Sequence, residues 1–377
     1  MKTVGIITMH KVWNAGSALQ AYALQRTVED MGFAVKLIDY QYPNIEHSAF
    51  AGCVKDVKSL DIKGAIRLVA QLVKVKLMKS KHTTLYNSFY DKYFRCTKSV
   101  YTSRKSLYEH TPLFDIYITG SDQVWNPQYI GFDTSYLLDF VPENAKRISY
   151  ASSFSTNSIP FFLKRDYARC LSKYDSISVR EESGKQLVNE LTNKDATVCC
   201  DPTLLLSKEQ WGKIAEDSVL HTGKKYILVY VMGYAYDPYP SIYKHIDKVA
   251  NELKLPVVFF NSRRGKYNAP FGELKIQDLG PAEFLWLFKN ASFVMTDSFH
   301  GTAFSLNFQR PFISVIKEIG NSDSRVYNIL KVTNTTERAV VCDDDPDSYS
   351  LNMSAPASVE IEKLRNESIQ YLYKSLA

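Results

Sequence analysis

Three signals of common protein classes are missing from this chain of 377 residues. No apolar run approaches the roughly 18 residues of a membrane-spanning helix. The six cysteines form no C-x-x-C pair and lie near no metal-spaced pair of histidines, so no zinc site or other metal site is expected. No G-x-G-x-x-G loop follows the first strand-like segment, so the dinucleotide-binding fingerprint is absent.

The chain also lacks a large excess of charge of one sign. Lys and Arg number 46 and Asp and Glu 40, which leaves a net charge of +6. Over this length, that excess favours anionic ligands weakly and does not indicate a nucleic-acid partner. The apolar segment 3–8 is too short for a secretory signal, so we expect a cytoplasmic protein in a reducing compartment.

The composition that remains is that of a globular protein. Hydrophobic residues make up 45% and charged residues 23% of the chain, which excludes wholesale disorder. The length predicts two domains. With 25 Tyr and 20 Phe, either the core or a binding cleft is expected to be rich in aromatic rings.

Strand and helix patterns alternate along most of the chain. A strand at 3–8, a loop at 14–17, a helix closed by Gly32 and a strand at 34–39 form one βαβ unit. Asp201-Pro202-Thr203 predicts a break, after which a second β/α series begins. This alternation predicts an α/β fold with two Rossmann-like, doubly wound domains at 1–210 and 211–357, and a helix at 358–377 that packs back across the joint. Ligands of such sheets bind beyond the carboxyl ends of the strands, so the cleft between the domains is the expected site.

Residues 59–81 differ from this pattern. Apolar residues at helical spacing oppose a stripe of basic residues, followed by further lysines. One interpretation is an ordinary helix with solvated lysines, and the other is a basic amphipathic helix that contacts an anionic membrane surface or a lipid-linked phosphate.

The segment 296–302 (TDSFHGT) carries the clearest chemical signal. It lies where a strand ends and a helix begins, a place that favours an anion. His300 can exchange a proton near neutral pH, and the alternative is a capping or core histidine. Ser298 and Gly301 would bring backbone close to a ligand, and Asp297 would either orient His300 or cap the helix.

Two other loops follow predicted strands. In the loop 120–127, Ser121, Asp122, Gln123 and Asn126 are candidates to bind sugar hydroxyls, and Trp125 is a candidate to stack on a sugar face. The alternative is a self-satisfied turn with a buried Trp.

The second loop, at 14–17, and two arginines are weaker candidates. Asn14 and Gly16 either cap the first helix or face the cleft. Arg180 ends a predicted strand and Arg325 opens a late helix. The planar fork of an arginine donates two parallel hydrogen bonds to a carboxylate or phosphate.

With these segments in view, the sequence resembles the polysaccharide pyruvyl transferase family. The matching segments occur in the order NAGSALQAYALQ (14–25), DIYITGSDQVWNP (115–127), ISVREESG (177–184), CDPTLLL (200–206) and TDSFHGTAFSLNFQRPFI (296–313). The resemblance implies a GT-B-type arrangement of the two domains. It also implies transfer of pyruvate from phosphoenolpyruvate to a sugar of a bacterial surface polysaccharide, such as a capsule or exopolysaccharide, or of its lipid-linked precursor, giving a cyclic ketal.

Roles follow for single residues. His300 matches the histidine of the family's carboxyl-terminal motif, and Arg180 matches its mid-chain arginine. His300 and Asp122 are the expected proton carriers, and Arg180 and Arg325 the expected anion ligands. No cofactor is expected. The partners are phosphoenolpyruvate and a sugar or lipid-linked oligosaccharide, and the segment 59–81 is a candidate contact with the inner face of the membrane. Two alternatives stay open: a GT-B glycosyltransferase with a nucleotide-sugar donor, and a non-catalytic component of polysaccharide assembly.

Overall fold

A computed structural model of the protein describes residues 1–41, 83–130, 132–221, 223–261, 279–320, 324–352, 355–356 and 359–377. The predicted helix at 59–81, and with it the predicted membrane contact, lies outside the described residues. In the part of the chain that is described, no helix is both long and apolar enough to cross a bilayer.

The first sheet is built from five parallel strands in the order β3-β2-β1-β4-β5. The strands β6 and β7 pair parallel with each other, and isolated bridges connect the chain around β5 to the segment that contains β6. The bounds are β1 Thr3–Ile7, β2 Ala34–Tyr40, β3 Cys96–Tyr101, β4 Ile116–Thr119, β5 Lys146–Ser149, β6 Ser178–Val179 and β7 Thr197–Val198.

The second sheet repeats this plan with five parallel strands in the order β12-β11-β10-β8-β9. Its strands β8, β10 and β11 are buried at every position, as expected for strands covered on both faces. The bounds are β8 Ile227–Val231, β9 Val257–Asn261, β10 Phe293–Thr296, β11 Phe312–Ile316 and β12 Ala339–Val341.

Helices connect the strands of both sheets. In the first half they are α1 Ala15–Asp30, α2 83–93, α3 Arg104–Glu109, α4 Pro127–Ile130, α5 Phe161–Leu171, α6 Glu182–Thr192 and α7 Lys208–Ala215. In the second half they are α8 Ile242–Leu253, α9 Pro281–Asn290, α10 Phe299–Asn307, α11 Arg325–Val332 and α12 Val359–Leu376.

The two halves share one apolar cluster. Leu24 of α1, Leu204 of the turn after β7, Trp211 of α7 and Phe304 of α10 belong to it, and all four are buried. Trp211 and Phe304 meet edge to face with ring centroids 5.3 Å apart. The two halves are therefore held together by shared apolar packing.

The helix α12 follows the second sheet in the chain but bonds to the first half. Arg365 Nε donates to the carbonyl of Leu204 at 2.6 Å, the backbone N–H of Cys200 donates to Ser368 Oγ at 3.0 Å, and the Tyr371 hydroxyl donates to the carbonyl of Ser149 at 2.9 Å. The boundaries near residues 210 and 357 stay predictions.

The predicted parallel β/α alternation is confirmed in both halves. The strand β3 and the helices α2, α3, α4, α5 and α7 were not predicted. The segment of β3 is polar, with intermediate or exposed side chains up to Tyr101, so it carries no apolar run. It forms the edge of the first sheet because it pairs with β2, a contact that depends on the tertiary fold.

Candidate active site

A cavity of about 520 Å³ opens between the carboxyl ends of the two sheets. We call it the central cavity. A volume of this size holds a small ligand of the metabolite class. From the first half it is lined by Asn14, Ser17, Asp122, Gln123 and Ser155, and from the second by Tyr230, Met232, Tyr234, Ala235, Tyr236, Asp297, Ser298, Phe299, His300, Val315, Ile316, Lys317, Glu318, Ser324, Arg325 and Val326.

The first turns of three helices, α1, α10 and α11, line this cavity. Each begins with a side-chain cap: Asn14 Oδ1 accepts from Ser17 N at 3.2 Å, Ser298 Oγ from Gly301 N at 3.4 Å, and Ser324 Oγ from Tyr327 N at 3.2 Å. The amino-terminal end of a helix carries partial positive charge. Three such ends around one cavity create an environment that favours an anion.

Two cationic side chains also line the central cavity, Arg325 at the start of α11 and Lys317 after β11. In the amide orientation that satisfies its partners, Gln123 Oε1 accepts from Arg325 Nη1 and Nη2 at 3.2 and 3.1 Å. This contact joins the loop after β4 in the first half to α11 in the second. Arg325 is thereby oriented across the cavity.

His300 is the second residue of α10 and is 8% exposed. Its ring lies against Gly16 of α1, where an added Cβ would come within 2.1 Å of Nδ1. Its Nε2 is buried without a hydrogen-bond partner and lies 3.9 Å from Asp201 Oδ2. Burial lowers the pKa of His300 below its usual value. The lowered pKa favours the neutral imidazole, which can accept a proton.

Asp201 was not among the residues predicted from sequence. Its carboxylate is fully buried and accepts from Arg180 Nη1 at 2.7 Å, Ser121 Oγ at 3.2 Å, and Thr203 N and Oγ1 at 3.0 and 2.7 Å. Burial raises the pKa of Asp201, but the attraction of His300 in its protonated form, the Arg180 charge and the Thr203 hydrogen bonds outweigh burial and leave the pKa below its usual value. An ionised carboxylate therefore lies behind the imidazole.

Arg180 occupies a different place from the one predicted. It does not line the central cavity. Its side chain is 4% exposed, pairs with Asp201 and lies over the ring of Phe299 at 4.6 Å. The predicted direct contact of Arg180 with a substrate anion is therefore corrected, because in this structure its charge is used to hold Asp201 in the interior.

Asp122 lines the cavity as predicted, in a left-handed backbone conformation with φ 77°. This φ is uncommon outside glycine, asparagine and aspartate. Its Oδ2 accepts from the Ser17 hydroxyl and its Oδ1 from Gln123 N at 2.9 Å. The neighbouring Ser121 is fully buried and shares its one hydroxyl proton between the carbonyl of Ala151 at 2.8 Å and Asp201 Oδ2 at 3.2 Å, so the predicted contact of Ser121 with a sugar is corrected.

Trp125 and Asn126 also lie outside the cavity lining. Trp125 is completely buried against Phe154 and Tyr174, and its Nε1 donates to the carbonyl of Tyr136 at 2.9 Å. Neither face of the indole is open to a sugar, so the predicted stacking is corrected in favour of the buried-Trp alternative. Asn126 Oδ1 accepts from Gln128 N at 2.9 Å and caps the turn rather than facing a ligand.

The residues of the segment 297–301 have different structural roles. Asp297 accepts from the backbone N–H groups of Met232 and Gly233 at 2.6 and 2.7 Å, so it holds the loop after β8 and does not orient His300. Burial raises its pKa. A Cβ at Gly301 would meet Thr296 Oγ1 at 2.2 Å, which makes Gly301 a packing requirement. Gly301 is absent from the cavity lining, so its predicted substrate contact is corrected, whereas Ser298 lines the cavity.

A group with potential metal ligands lies elsewhere in the first half. His10, Asp39 and Cys96 bring one ligand atom each within 4.8 Å of one another. Asp39 already accepts from Lys11 Nζ at 2.5 Å and Gln41 Nε2 at 2.7 Å. Both of its oxygens are thus used by protein donors, and none of the three residues lines the central cavity.

The sequence model of the family described as polysaccharide pyruvyl transferase matches residues 14–316. The chain belongs to the polysaccharide pyruvyl transferase family. No curated protein sequence matches the chain significantly.

Solved structures show the fold of this pyruvyl transferase family member. UDP-GlcNAc 2-epimerase from Methanocaldococcus jannaschii is 12% identical, with a TM-score of 0.51 over 99% of this chain and 100% of that chain. The same enzyme in complex with UDP-GlcNAc and UDP gives a TM-score of 0.50 at 12% identity and the same coverage. The predicted GT-B-type fold is confirmed. At these identities the likeness carries the fold and not the substrate.

The sequence signal for Asp201 was the segment CDPTLLL, which matches the pyruvyl transferase family. Residues 201–203 of this segment were interpreted as a break between domains, so Asp201 was not predicted as a site residue. Lys317 lies beyond the last matching segment, 296–313, and no motif singles it out in the sequence. Ser17 was part of the loop 14–17, but its bond to Asp122 depends on two loops that are 105 residues apart in sequence.

Proposed function

We propose that this protein transfers pyruvate from phosphoenolpyruvate to a sugar of a bacterial surface polysaccharide or of its lipid-linked precursor, and forms a cyclic ketal. The observation that supports this proposal best is the shared cavity of His300, Arg325 and the amino-terminal ends of three helices. A proton-exchanging imidazole and an environment for more than one negative charge occur within one volume of about 520 Å³.

The donor fits the charges of the second half. Phosphoenolpyruvate carries a carboxylate and a phosphate on the same carbon atom, C2. Arg325, Lys317 and the first turns of α10 and α11 supply cationic and N–H groups for the two anions. In this proposal the second half is the donor side, and Arg180 acts indirectly through Asp201.

The acceptor fits the first half. Asp122, Gln123 and Asn14 present carboxylate, amide and N-cap groups on the opposite wall of the cavity. Such groups form hydrogen bonds with sugar hydroxyls. The first half is therefore the acceptor side in this proposal, and a peripheral contact with the membrane would bring a lipid-linked acceptor to it.

The chemistry balances with two proton carriers. The methylene carbon C3 of phosphoenolpyruvate gains a proton, one sugar hydroxyl adds its oxygen to C2, and phosphate leaves with the electrons of the C2–O bond. A second hydroxyl of the same sugar then adds to C2 and closes the ring. Of the two hydroxyl protons, one balances the proton on C3 and the other leaves with phosphate. His300 and Asp122 face the cavity and are the groups proposed to carry them.

The test is phosphate release from phosphoenolpyruvate in the presence of galactose, mannose or glucosamine acceptors, with the ketal detected by mass spectrometry. The variant His300→Gln should lose roughly 10²- to 10⁴-fold in turnover. His245→Gln is the matched control because His245 is also buried but lies on α8, away from the cavity. The absence of both phosphate release and calorimetric binding of phosphoenolpyruvate would contradict the proposal.

The same preparation distinguishes the two alternatives. A nucleotide-sugar glycosyltransferase would be stabilised against heat by UDP- or GDP-sugars and not by phosphoenolpyruvate. A non-catalytic assembly component would bind sugar without forming product, and cavity variants would leave its biological role intact.

A further inference from the structure

The buried carboxylate of Asp201 lies beside the proposed reaction centre. It lies 3.9 Å from His300 Nε2. We propose that Asp201 is a positioning residue that keeps the proton of neutral His300 on Nε2 and presents Nδ1 to the substrate. This inference rests on the proposed function for its catalytic meaning but on geometry alone for the tautomer.

The two ring nitrogens of His300 lie in different environments. Nε2 is buried and faces an ionised carboxylate oxygen, which can only accept a hydrogen bond. A lone pair on Nε2 would lie 3.9 Å from an oxygen that offers only lone pairs, so the proton is favoured there. Nδ1 lies beside Gly16, which does not itself line the cavity but stands between the lining residues Asn14 and Ser17 in the sequence.

The carboxylate of Asp201 is held in place by its hydrogen-bond donors. Asp201 Oδ1 is used by Thr203, and Oδ2 accepts from Arg180 and Ser121. These donors come from three separate segments of the first half. The separation of 3.9 Å exceeds hydrogen-bond range, and a movement of about 1 Å of the imidazole would close it. Catalytic hydrogen bonds are often long before substrate binds.

Several charged groups around His300 influence its pKa. The charged groups that face His300 are Asp201, Asp122, Arg180 and Arg325, together with the amino-terminal end of α1. The two carboxylates raise the pKa of His300, whereas burial, the two guanidinium groups and the helix end lower it. Loss of the Asp201 charge would therefore move the titration of His300 further toward acid.

The experiment uses the full chain with ¹⁵N-labelled histidine, and the His300 signal is assigned by its loss in His300→Gln. In the unaltered protein, neutral His300 should show the Nε2–H tautomer. In Asp201→Asn, the titration midpoint of His300 should fall measurably, and turnover should fall by about 10-fold or more. The matched control is Asp39→Asn, which removes another buried aspartate beside a histidine but away from the cavity, and should leave the His300 titration unchanged.

The outcomes separate the two ideas. An Nδ1–H tautomer in the unaltered protein would overturn the inference even if Asp201→Asn fails to fold. An unchanged His300 midpoint in a folded Asp201→Asn would overturn it as well. The expected tautomer and midpoint shift without any turnover of phosphoenolpyruvate would support the positioning role and contradict the proposed function.

Discussion

Gly16 and His300 are in direct contact across the two halves of the molecule. A Cβ at Gly16 would lie 2.1 Å from Nδ1 and 2.4 Å from Cγ of the imidazole. No side chain fits there without displacing the ring. The first turn of α1 and the first turn of α10 can approach this closely only because residue 16 has no side chain.

Gly16→Ala should therefore disable the protein at the site itself. We expect a loss of about 1–3 kcal/mol in the free energy of unfolding from the forced overlap, together with loss of turnover because the imidazole moves. Gly212→Ala is the control, since the added Cβ would meet Lys289 Nζ at an ordinary 3.5 Å. Urea denaturation and phosphate release measure the two effects. Normal activity in Gly16→Ala would show that the position of His300 is not critical.

Arg325→Gln should weaken binding of phosphoenolpyruvate. A hydrogen bond to a charged group contributes about 1.5–3 kcal/mol, which corresponds to about 10- to 150-fold in affinity. Arg338→Gln is a control for loss of an arginine charge, because Arg338 packs on Phe312 away from the cavity lining. Isothermal titration calorimetry with phosphoenolpyruvate gives the dissociation constants, and equal values for Arg325→Gln and the unaltered protein would remove Arg325 from the donor site.

Trp125→Ala should lower stability and leave the choice of acceptor unchanged. The indole is completely buried and bonded to Tyr136, so its truncation is expected to cost about 3–5 kcal/mol. The measurement is urea denaturation alongside relative rates with a panel of sugars. A changed order of preference among the sugars, with stability retained, would restore Trp125 to the substrate site.

The contribution of His245 and His300 to stability should fall as the pH is lowered from about 7.5 to 5.5. Burial lowers the pKa values of His245 and His300, so in this range the unfolded chain binds more protons than the folded protein. Protonation then favours unfolding. Asp201 acts in the same direction at lower pH, because its folded pKa lies below its usual value. Urea midpoints across the range measure the slope, and His245→Gln should reduce it. If the urea midpoint changes equally with pH in His245→Gln and in the unaltered protein, His245 does not contribute to the pH dependence of stability.

The positions at the cavity were accessible from sequence for a simple physical reason. Parallel strands place their carboxyl ends on one edge of the sheet, so the residues that follow β1, β4 and β10 converge. Asn14, Asp122 and His300 were predicted on this basis and all line the cavity. Arg325 was predicted as the start of a helix after a strand, and it lines the cavity as well.

Side-chain direction was not accessible in the same way. Arg180 and Trp125 come from motifs that adjoin the cavity, yet one turns to Asp201 and the other into the core. Their direction depends on partners 21 residues away for Arg180 and 11 or more for Trp125. The pattern of apolar residues specifies strand edges, but it carries no information on which of several polar partners a side chain will meet.

The return of α12 to the first half has a consequence for the order of folding. Ser149, Cys200 and Leu204 receive their α12 partners from 161 to 222 residues later in the chain. The first half leaves the ribosome long before those partners exist, and contacts of such large sequence separation slow folding. Until α12 docks, this face of the amino-terminal half stays open to solvent and to other nascent chains.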